Sequence, residues 1–212
     1  MYSPPHFVEQ RTEVLHQLIH DHAFGTLITL DGATLHADHL PFEIDMQAAP
    51  FGVLRAHVAR ANPVWRQTSS TAESLAVFQG AHAYISPSWY PLKNETGKVV
   101  PTWNYMVVHA YGVMRVIDDP VWLKGLVERL TNRYEAGRVA PWQVADAPAD
   151  YIEKMLGAIV GIEIPITRLV GKWKVSQNRS EADRTGVVRG LRDSDDADQQ
   201  LMANAVALRS LI

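Results

Sequence analysis

The spacing of apolar side chains changes along this chain, and each change predicts a new element. Residues 9–22 repeat apolar positions at helical spacing, and a glycine lies just beyond them as a stop signal. The period then shortens, so strands are predicted at 25–30, 34–44 and 51–59. Asp31-Gly32 between the first two strands is a hairpin signal. Asn62 is then expected to cap a short helix whose first residue is Pro63.

Two strand-like runs, at 75–85 and 105–117, flank a connection that is rich in aromatic residues and proline. It contains the motifs SPSWYP (86–91) and PTWNY (101–105), with a polar turn at 93–98 between them. Proline fixes φ, so the connection is stiff, and its Trp, Tyr, Ser and Asn side chains suit a flat aromatic ligand or a partner surface. The alternative is that these aromatic side chains fill the core or a dimer interface.

The clearest helix is predicted to open at Asp119-Pro120 and to end at Gly137. Its apolar stripe predicts a buried face made of Leu123, Leu126, Val127, Leu130 and Tyr134. The remaining pattern predicts a short helix at 151–156, strands at 158–164 and 166–175, and two helices after residue 180, separated by an acidic turn at 193–198.

These elements predict a mainly β protein with flanking helices, of the α+β class. About seven strands, with hairpin spacing in the first half, favour an antiparallel barrel over a doubly wound sheet. We expect residues 1–175 to form the barrel domain. Residues 176–212 are then a C-terminal helical extension that packs on the barrel or on a dimer partner.

The amino-acid composition excludes several classes of chemistry. The 212 residues, 47% of them hydrophobic, are enough for a sizeable core without disulfides or a structural metal. The absence of cysteine excludes thiol nucleophiles, redox disulfides and Cys-ligated metals or clusters. No apolar run approaches the roughly 18 residues of a membrane helix, and no signal-peptide pattern is visible. We therefore expect a cytoplasmic protein with no membrane partner.

Charge bears on nucleic-acid binding. The chain has 20 Lys and Arg against 23 Asp and Glu, a formal net charge of −3. A DNA-binding domain usually carries a basic patch or stripe, and no segment here is dense in Lys and Arg. The charge therefore does not support tight binding of DNA by the protein alone.

A first candidate site lies where the third predicted strand meets the short helix, in HVARANPVW (57–65). Free backbone N–H groups and the helix dipole attract a phosphate at such a point. Arg60 supplies a bidentate charged donor, and His57 and Asn62 supply further polar contacts. The alternative is an ordinary capped helix beside a surface arginine.

A second candidate site is the segment KWKVSQNR (172–179). Lys172 and Lys174 share one face of the predicted strand, and Trp173 points to the other. Gln177, Asn178 and Arg179 cluster at the strand end, so an anion could be held here as well. The alternative is a solvated strand face.

Histidine is the remaining type of ligand, at His36, His39, His82 and His109. None of them falls in an HExxH pattern, and no carboxylate stands at a diagnostic spacing. We therefore predict no metal site. The GxSxG, Walker and Rossmann patterns are also missing.

Several motifs together resemble one family. They are ARANPVWR (59–66), FQGAHAYISPSWY (78–90), VPTWNY (100–105) and KVSQNR (174–179), with MYSPPHF (1–7) and FGTL (24–27). On these motifs the chain is identified as a member of the PaiB-type proteins, described as FMN-binding negative transcriptional regulators. The resemblance implies an FMN-binding split β-barrel, antiparallel and Greek-key-like, shared with pyridoxamine-phosphate-oxidase-like flavoproteins and usually dimeric.

The resemblance also implies FMN as the cofactor and a homodimer with the flavin at its interface. Phosphate contacts are then expected from the two anion segments, and ring contacts from the aromatic connection. The cofactor-binding residues expected in this way are His57, Arg60, Asn62, Trp65, Tyr84, Ser86, Trp89, Trp103, Asn104, Tyr105, Lys172, Gln177 and Asn178.

Two functions from different classes remain open. The first is an FMN-binding regulatory protein of the PaiB type, a negative transcriptional regulator; DNA binding follows from that family name but not from the charge. The alternative is a flavin-dependent oxidoreductase of the pyridoxamine-phosphate-oxidase-like class, because the cofactor itself transfers hydride or electrons. Haem in the same fold, with His82 or His109 as its ligand, is a third and weaker alternative.

Overall fold

The computed structural model describes residues 1–48, 50–67 and 71–209. Their strands are β1 Val8–Glu9, β2 Phe24–Asp31, β3 Thr34–Pro41, β4 Glu43–Asp45, β5 Val53–Ala59, β6 Glu73–Ile85, β7 Thr102–Val113, β8 Arg115–Ile117, β9 Ile159–Pro165 and β10 Arg168–Lys174. Their α-helices are α1 Thr12–Asp21, α2 Val64–Gln67, α3 Leu92–Thr96, α4 Pro120–Glu135, α5 Ala149–Gly157, α6 Glu181–Arg192 and α7 Ala197–Arg209. Short 3-10 segments occupy Pro5–Phe7, Pro87–Trp89 and Val144–Asp146.

The chain divides into two compact units. Unit 1 comprises Met1–Leu18, Gln79–Val108 and Val170–Ile212, and unit 2 comprises Ile19–Phe78 and His109–Leu169. Strands β6 and β7 each begin in one unit and continue into the other. Helices α6 and α7 belong to unit 1 together with β1, and the boundary predicted after residue 175 stays a prediction.

Unit 1 is built on strands in the order β1-β10-β7-β6. β1 pairs antiparallel with β10, with Val8 opposite Lys172. Helix α6 begins after Ser180, whose hydroxyl accepts a hydrogen bond from the N–H of Asp183 at 3.2 Å, so the cap is a local one. Helices α6 and α7 pack on each other, and their buried side chains include Val187, Leu191, Met202 and Val206.

Unit 2 contains strands in the orders β6-β2-β3 and β4-β5-β9-β8. The β2–β3 hairpin places Asp31 opposite Thr34, and Gly32 in its loop has a φ of 57°, which glycine adopts without strain. The predicted hairpin is therefore confirmed. β5 pairs antiparallel with β9 from Val53 opposite Pro165 to Ala59 opposite Ile159. The core of this sheet includes Leu54, Ala56, Ile162 and Ile164, all buried.

Helix α4 follows its sequence pattern closely. Asp119 caps it, because its carboxylate accepts from the N–H groups of Val121 at 2.8 Å and Trp122 at 3.1 Å. The stripe residues Leu123, Leu126 and Leu130 are buried as predicted. Tyr134 is 53% exposed, so its predicted burial is wrong. Tyr134 lies in the last turn of α4, and the guanidinium of Arg133 lies 5.4 Å from the centre of its ring.

Three local predictions need correction. The strand predicted at 34–44 is two strands, β3 and β4, which belong to different sheets and are separated at the buried Phe42. The strand predicted at 105–117 is likewise divided, at the buried Met114, into β7 and β8. The polar turn predicted at 93–98 lies mostly in α3, which ends at Gly97 with a φ of 64°. In the two divided strands the apolar pattern runs through a bend that only packing reveals.

The chain is mainly β with flanking helices, and its strand pairs are antiparallel, so this part of the predicted fold class is confirmed. β7 begins at Thr102, three residues earlier than predicted. Trp103 and Asn104 are therefore strand residues, with side chains on opposite faces of β7, and not loop residues.

Candidate functional site

The side chains predicted to bind the cofactor fall into two sets, one in each unit. Unit 2 holds His57, Arg60, Asn62 and Trp65. Unit 1 holds Tyr84, Ser86, Trp89, Trp103, Asn104, Tyr105, Lys172, Gln177 and Asn178.

In unit 2, the start of α2 is closed by Asn62. Its side-chain oxygen accepts from the N–H of Val64 at 2.9 Å, so the predicted N-cap is confirmed. Its side-chain nitrogen donates to Asp38 at 2.6 Å. The N–H of Val64, one of the groups expected to attract a phosphate, is therefore already bonded to Asn62. The carboxylate of Asp38 also places a negative charge beside the cap.

Arg60 is the most heavily bonded residue of this set. Its Nη1 and Nη2 donate to the two carboxylate oxygens of Asp118 at 2.9 and 2.6 Å. Its Nε donates to the carbonyl of Gly157 at 2.8 Å, and Nη2 donates also to the carbonyl of Ile159 at 3.0 Å. The hydrogen bond to Asp118 raises the pKa of Arg60 and lowers the pKa of Asp118. These contacts tie the end of β5 to the start of β9.

His57 and Trp65 complete the unit 2 set. Burial lowers the pKa of His57, and its Nδ1 is buried with no hydrogen-bond partner in the described part of the chain. Trp65 donates from Nε1 to the carbonyl of Arg60 at 3.1 Å, and the guanidinium of Arg66 lies 4.2 Å from its ring centre. Trp65 also borders a largely apolar cavity of about 570 Å³.

In unit 1, two predicted ligands are held by the chain itself. Asn104 is 1% exposed, and its side-chain nitrogen donates to the hydroxyl of Ser176 at 2.9 Å. Gln177 accepts from the N–H of Val175 at 2.8 Å and donates to the carbonyl of His6 at 2.9 Å. Ser176 has a φ of 61°, a left-handed conformation that costs a non-glycine residue roughly 1 kcal/mol. The turn after β10 is therefore shaped by these polar contacts.

Ser86 and Trp89 also have structural contacts. The hydroxyl of Ser86 accepts from the N–H of Ser88 at 3.2 Å and caps the 3-10 segment. Trp89 packs against α6 so closely that a Cβ added at Gly190 would lie 2.4 Å from its ring. At Gly186 an added Cβ would lie 2.0 Å from the carbonyl oxygen of Trp89. The two glycines are what allows α6 to approach.

Cationic side chains gather beside β10. Lys172 is 8% exposed; its Nζ donates to the carbonyl of Tyr2 at 3.0 Å and lies 5.3 Å from the centre of the Tyr105 ring. Lys174 donates to the hydroxyl of Thr102. The guanidinium of Arg179 lies over the buried Tyr90 ring, 4.8 Å from its centre.

Among the described residues, these three cations have no anionic partner. Lys172, Lys174 and Arg179 form no ion pair with any acidic side chain that the structure describes. Burial lowers the pKa of Lys174, and the positive charges of Lys172 and Arg179 lower it further. Like charges held together in a half-buried place are unfavourable unless an anion joins them, so this group has the character of an anion site.

Exposed rings occupy the neighbouring strands. Trp103 on β7 is 53% exposed and Tyr84 on β6 is 48% exposed, and their rings meet edge to face with centres 6.1 Å apart. The ring of His82 stacks on Trp103 at 6.0 Å, while its Nδ1 lies 3.3 Å from the carboxylate of Asp198. An exposed aromatic group of this kind suits a flat ligand or a partner surface.

Sequence reasoning did not count Lys174 and Arg179 among the cofactor ligands. Both flank predicted ligands in the segment 172–179, and that proximity was the available signal. The structure adds what sequence lacked, namely that neither side chain has an acidic partner among the described residues. Asn178, by contrast, is exposed on the turn after β10.

The residues present in unit 1 fit FMN at both of its ends. Its phosphate is a dianion, and the cations of β10 and the following turn, which form no ion pair within the described part of the chain, supply charge-assisted donors for it. Its flat ring has exposed aromatic neighbours on β6 and β7. In unit 2 the charged donors of Arg60 already bind Asp118 and two carbonyls.

The remaining features bear on metal, haem and membrane binding. Within 1–48, 50–67 and 71–209, no three His, Asp or Glu side chains form a group that could hold a metal ion. His109 is half-buried, and burial lowers its pKa. Haem ligation by His82 or His109 stays a prediction. No helix in the described residues has the length and apolar character needed to span a membrane.

Comparison with known proteins identifies the family. Residues 1–168 match the family described as "Putative FMN-binding domain". The chain is 32% identical over 206 residues to the Bacillus subtilis "Protease synthase and sporulation protein PAI 2", covering 96% of this chain and 95% of that protein. It is 34% identical over 244 aligned residues to an uncharacterised protein of Emericella nidulans, covering 99% of this chain and 97% of that protein.

A solved structure supports the fold. The FAD and heme binding protein from Mycobacterium smegmatis superposes with a TM-score of 0.58 at 16% identity, over 79% of this chain and 73% of that one. At this identity the similarity concerns the fold alone. Since the family match covers most of the chain and the Bacillus subtilis relative nearly all of it, the chain belongs to the PaiB-type family of proteins with an FMN-binding domain.

Proposed function

We propose that this protein binds FMN on one face of the strands β10, β7 and β6 of unit 1. The observation that carries the proposal is the order of the side chains across that face. Lys172 on β10 lies beside Tyr105 on β7, and Trp103, on the same face of β7, meets Tyr84 on β6. Cations thus stand on one side and exposed rings on the other.

The width of this arrangement suits an elongated ligand with an anion at one end. Neighbouring strands lie about 4.8 Å apart, so β10 and β6, with β7 between them, are separated by roughly 10 Å. FMN carries its phosphate and its flat ring at opposite ends of a ribityl chain. One FMN molecule can therefore contact the cations and the rings together.

At the phosphate end, the proposed ligands are Lys172, Lys174 and Arg179. A phosphate dianion would compensate the charges that now repel one another and would be held by charge-assisted hydrogen bonds. Such bonds contribute about 1.5–3 kcal/mol each. At the ring end, Trp103 and Tyr84 provide stacking or edge contacts. When bound, FMN supplies hydride or electron transfer chemistry.

The unit 2 residues His57, Arg60, Asn62 and Trp65 remain a second, separate proposal for cofactor contact. The Nδ1 of His57 supports it, because this buried atom has no partner among the residues described and a buried polar atom usually has one. The contacts of Arg60 with Asp118 give that side chain a competing structural role.

We propose a regulatory role for the bound flavin, the role that the resemblance to PaiB-type negative transcriptional regulators implies; the Bacillus subtilis relative is named for protease synthesis and sporulation. Direct binding of DNA is not part of this proposal, because Asp193, Asp195, Asp196 and Asp198 surround the connection of α6 and α7 and would repel phosphates. An anisotropy titration with promoter fragments at about 0.15 M ionic strength tests this. Specific, tight binding would contradict it.

We also propose that the protein is a cytoplasmic homodimer with a split-barrel fold. The β2–β3 hairpin supports association, because it exposes the apolar side chains of Phe24 (68%) and Leu35 (71%) on one face. Apolar groups of this kind are favoured in the core of a subunit interface. Sedimentation of the wild type and of Leu35→Glu tests the proposal, with Val121→Glu, at an 82% exposed position of α4, as the control. A wild-type protein that sediments as a monomer would contradict it.

The test of FMN binding is a titration of flavin-free protein with FMN, riboflavin and FAD, followed by flavin fluorescence. FMN should bind at least about tenfold more tightly than riboflavin, since riboflavin lacks the phosphate. Equal affinities for FMN and riboflavin would contradict the phosphate site. Oxidation of a reduced nicotinamide by the FMN-loaded protein would favour the alternative function, a flavin-dependent oxidoreductase.

A further inference from the structure

An exposed tyrosine is held beside the cationic end of the proposed FMN site. Its backbone carbonyl accepts a hydrogen bond from Lys172 Nζ at 3.0 Å, and the same Nζ lies 5.9 Å from the centre of the Tyr2 ring. The Tyr2 residue is nevertheless 84% exposed. Tyr2 is therefore fixed through its backbone while its ring remains available.

The segment that carries Tyr2 is anchored at further points. Phe7 is buried, and its N–H donates to the carbonyl of Pro4 at 2.9 Å. Gln177 donates to the carbonyl of His6 at 2.9 Å. Val8 then enters β1 and pairs with β10. The backbone position of Tyr2 follows from these contacts and from the stiff residues Pro4 and Pro5.

A large aromatic ring left in water on a fixed backbone is a favourable binding group. Its apolar surface contributes to affinity when a ligand covers it. Because the backbone is already ordered, binding requires little further loss of conformational freedom. The neighbouring ring of Tyr105, 5.3 Å from the same Lys172 Nζ, gives this end of the site a second aromatic group.

We infer that Tyr2 is a binding residue for the phosphorylated end of the ligand, where its ring covers the contact between the phosphate and Lys172. Excluding water there strengthens the charged hydrogen bonds of the phosphate. The ligand class is a flat heterocycle with a terminal phosphate, of which FMN is the representative. This inference rests on the proposed function and adds a residue that sequence reasoning did not select.

The experiment compares the wild type with Tyr2→Ala and Tyr2→Phe in titrations with FMN and riboflavin. Tyr2→Ala should weaken FMN binding about tenfold and change riboflavin binding less than about twofold, because only FMN has the phosphate. Tyr2→Phe should keep wild-type affinity, since the ring is retained. The melting temperatures should be equal, because an exposed side chain contributes little to folding.

Tyr151→Ala is the matched control, at a 53% exposed tyrosine of α5 in unit 2, and should leave FMN binding unchanged. A second readout is iodination of the Tyr2 phenol, measured by mass spectrometry of the peptide containing it. FMN should protect Tyr2 and leave Tyr151 reactive.

The outcomes separate this inference from the proposal beneath it. FMN binding by the wild type that is unaffected by Tyr2→Ala, without protection of Tyr2, overturns the inference alone. Equal losses for FMN and riboflavin overturn the assignment to the phosphate end. A wild-type protein that binds no FMN overturns the proposed function and the inference with it.

Discussion

Asn104 and Ser176 form a buried hydrogen bond of 2.9 Å that joins β7 to the turn after β10. Asn104 is 1% exposed and Ser176 is 4% exposed. The bond holds Ser176 in its left-handed conformation, and this in turn sets the direction in which the chain leaves the cationic group beside β10. The pair thus connects local backbone strain to the proposed phosphate end of the site.

Asn104→Ala should destabilise the fold by about 1–3 kcal/mol, because it leaves the Ser176 hydroxyl buried without its partner. The free energy of unfolding from a urea titration measures this. Asn132→Ala, at an exposed position of α4, is the control and should change stability by less than about 0.5 kcal/mol. Equal stability of Asn104→Ala and the control would contradict a structural role for this pair.

Lys172→Met and Lys174→Met should each weaken FMN binding by about tenfold or more, since each removes a charged donor from the phosphate. Riboflavin affinity should change much less in both variants. The exposed Lys154 of α5 offers a matched control, and Lys154→Met should bind both flavins as the wild type does. Unchanged FMN binding in the two β10 variants would show that the phosphate lies elsewhere.

FMN affinity should fall at alkaline pH, beginning below the ordinary lysine pKa of 10.5. Burial and the charges of Lys172 and Arg179 lower the pKa of Lys174, so its ammonium is lost at a lower pH than usual. The phosphate prefers the charged form, and binding therefore weakens as pH rises through the lowered pKa. Lys174→Arg keeps its charge in this range and should show a flatter profile.

The same shift has the opposite sign for the protein without ligand. The folded state holds the Lys174 proton less firmly than the unfolded chain does, so the free energy of unfolding should increase as pH rises from the lowered pKa towards 10.5. Urea titrations of the wild type and Lys174→Met across this range measure the contribution. A wild-type profile parallel to that of Lys174→Met would contradict it.

Arg60→Ala should lower the melting temperature, because Asp118 and the carbonyls of Gly157 and Ile159 lose their donor. Asp118→Asn should lower it too, and the effects should be less than additive in the double variant, since both remove the same contact. Titration of folded Arg60→Ala with FMN and riboflavin then decides its second role. A loss confined to FMN would add Arg60 to the phosphate ligands.

Short-range features were predictable from sequence. Asn62 and Asp119 accept hydrogen bonds from N–H groups two or three residues further along, and the hairpin around Gly32 is equally local. The bends at Phe42 and Met114 were not predictable. An apolar residue continues a strand pattern whether the next strand stays in the same sheet or enters another one.

The candidate site also combines features that the sequence predicted with features that it did not. The segment 172–179 and the exposed rings could be selected by residue type, because cations suit a phosphate and aromatic rings suit a flat ring. Which of these side chains are already occupied could not be predicted. Gln177 and Asn104 prove to be bonded inside the chain, whereas Lys174 and Arg179 form no ion pair with the described acidic residues.

The sequence by itself determined the family, the mainly β class with its caps and hairpin, and the residue types available for an anion and a flat ring. These depend on motifs and on neighbours a few positions apart. Only the tertiary structure decided what each polar side chain does. The partner of Asn104 is 72 residues away, that of Arg60 is 58 away, and that of Lys172 is 170 away. Arg60 meets the carboxylate of Asp118 and therefore supports the fold, whereas Lys172 meets only a neutral carbonyl, so its charge can still attract an anion. Only folding brings these distant acceptors close enough to make that difference.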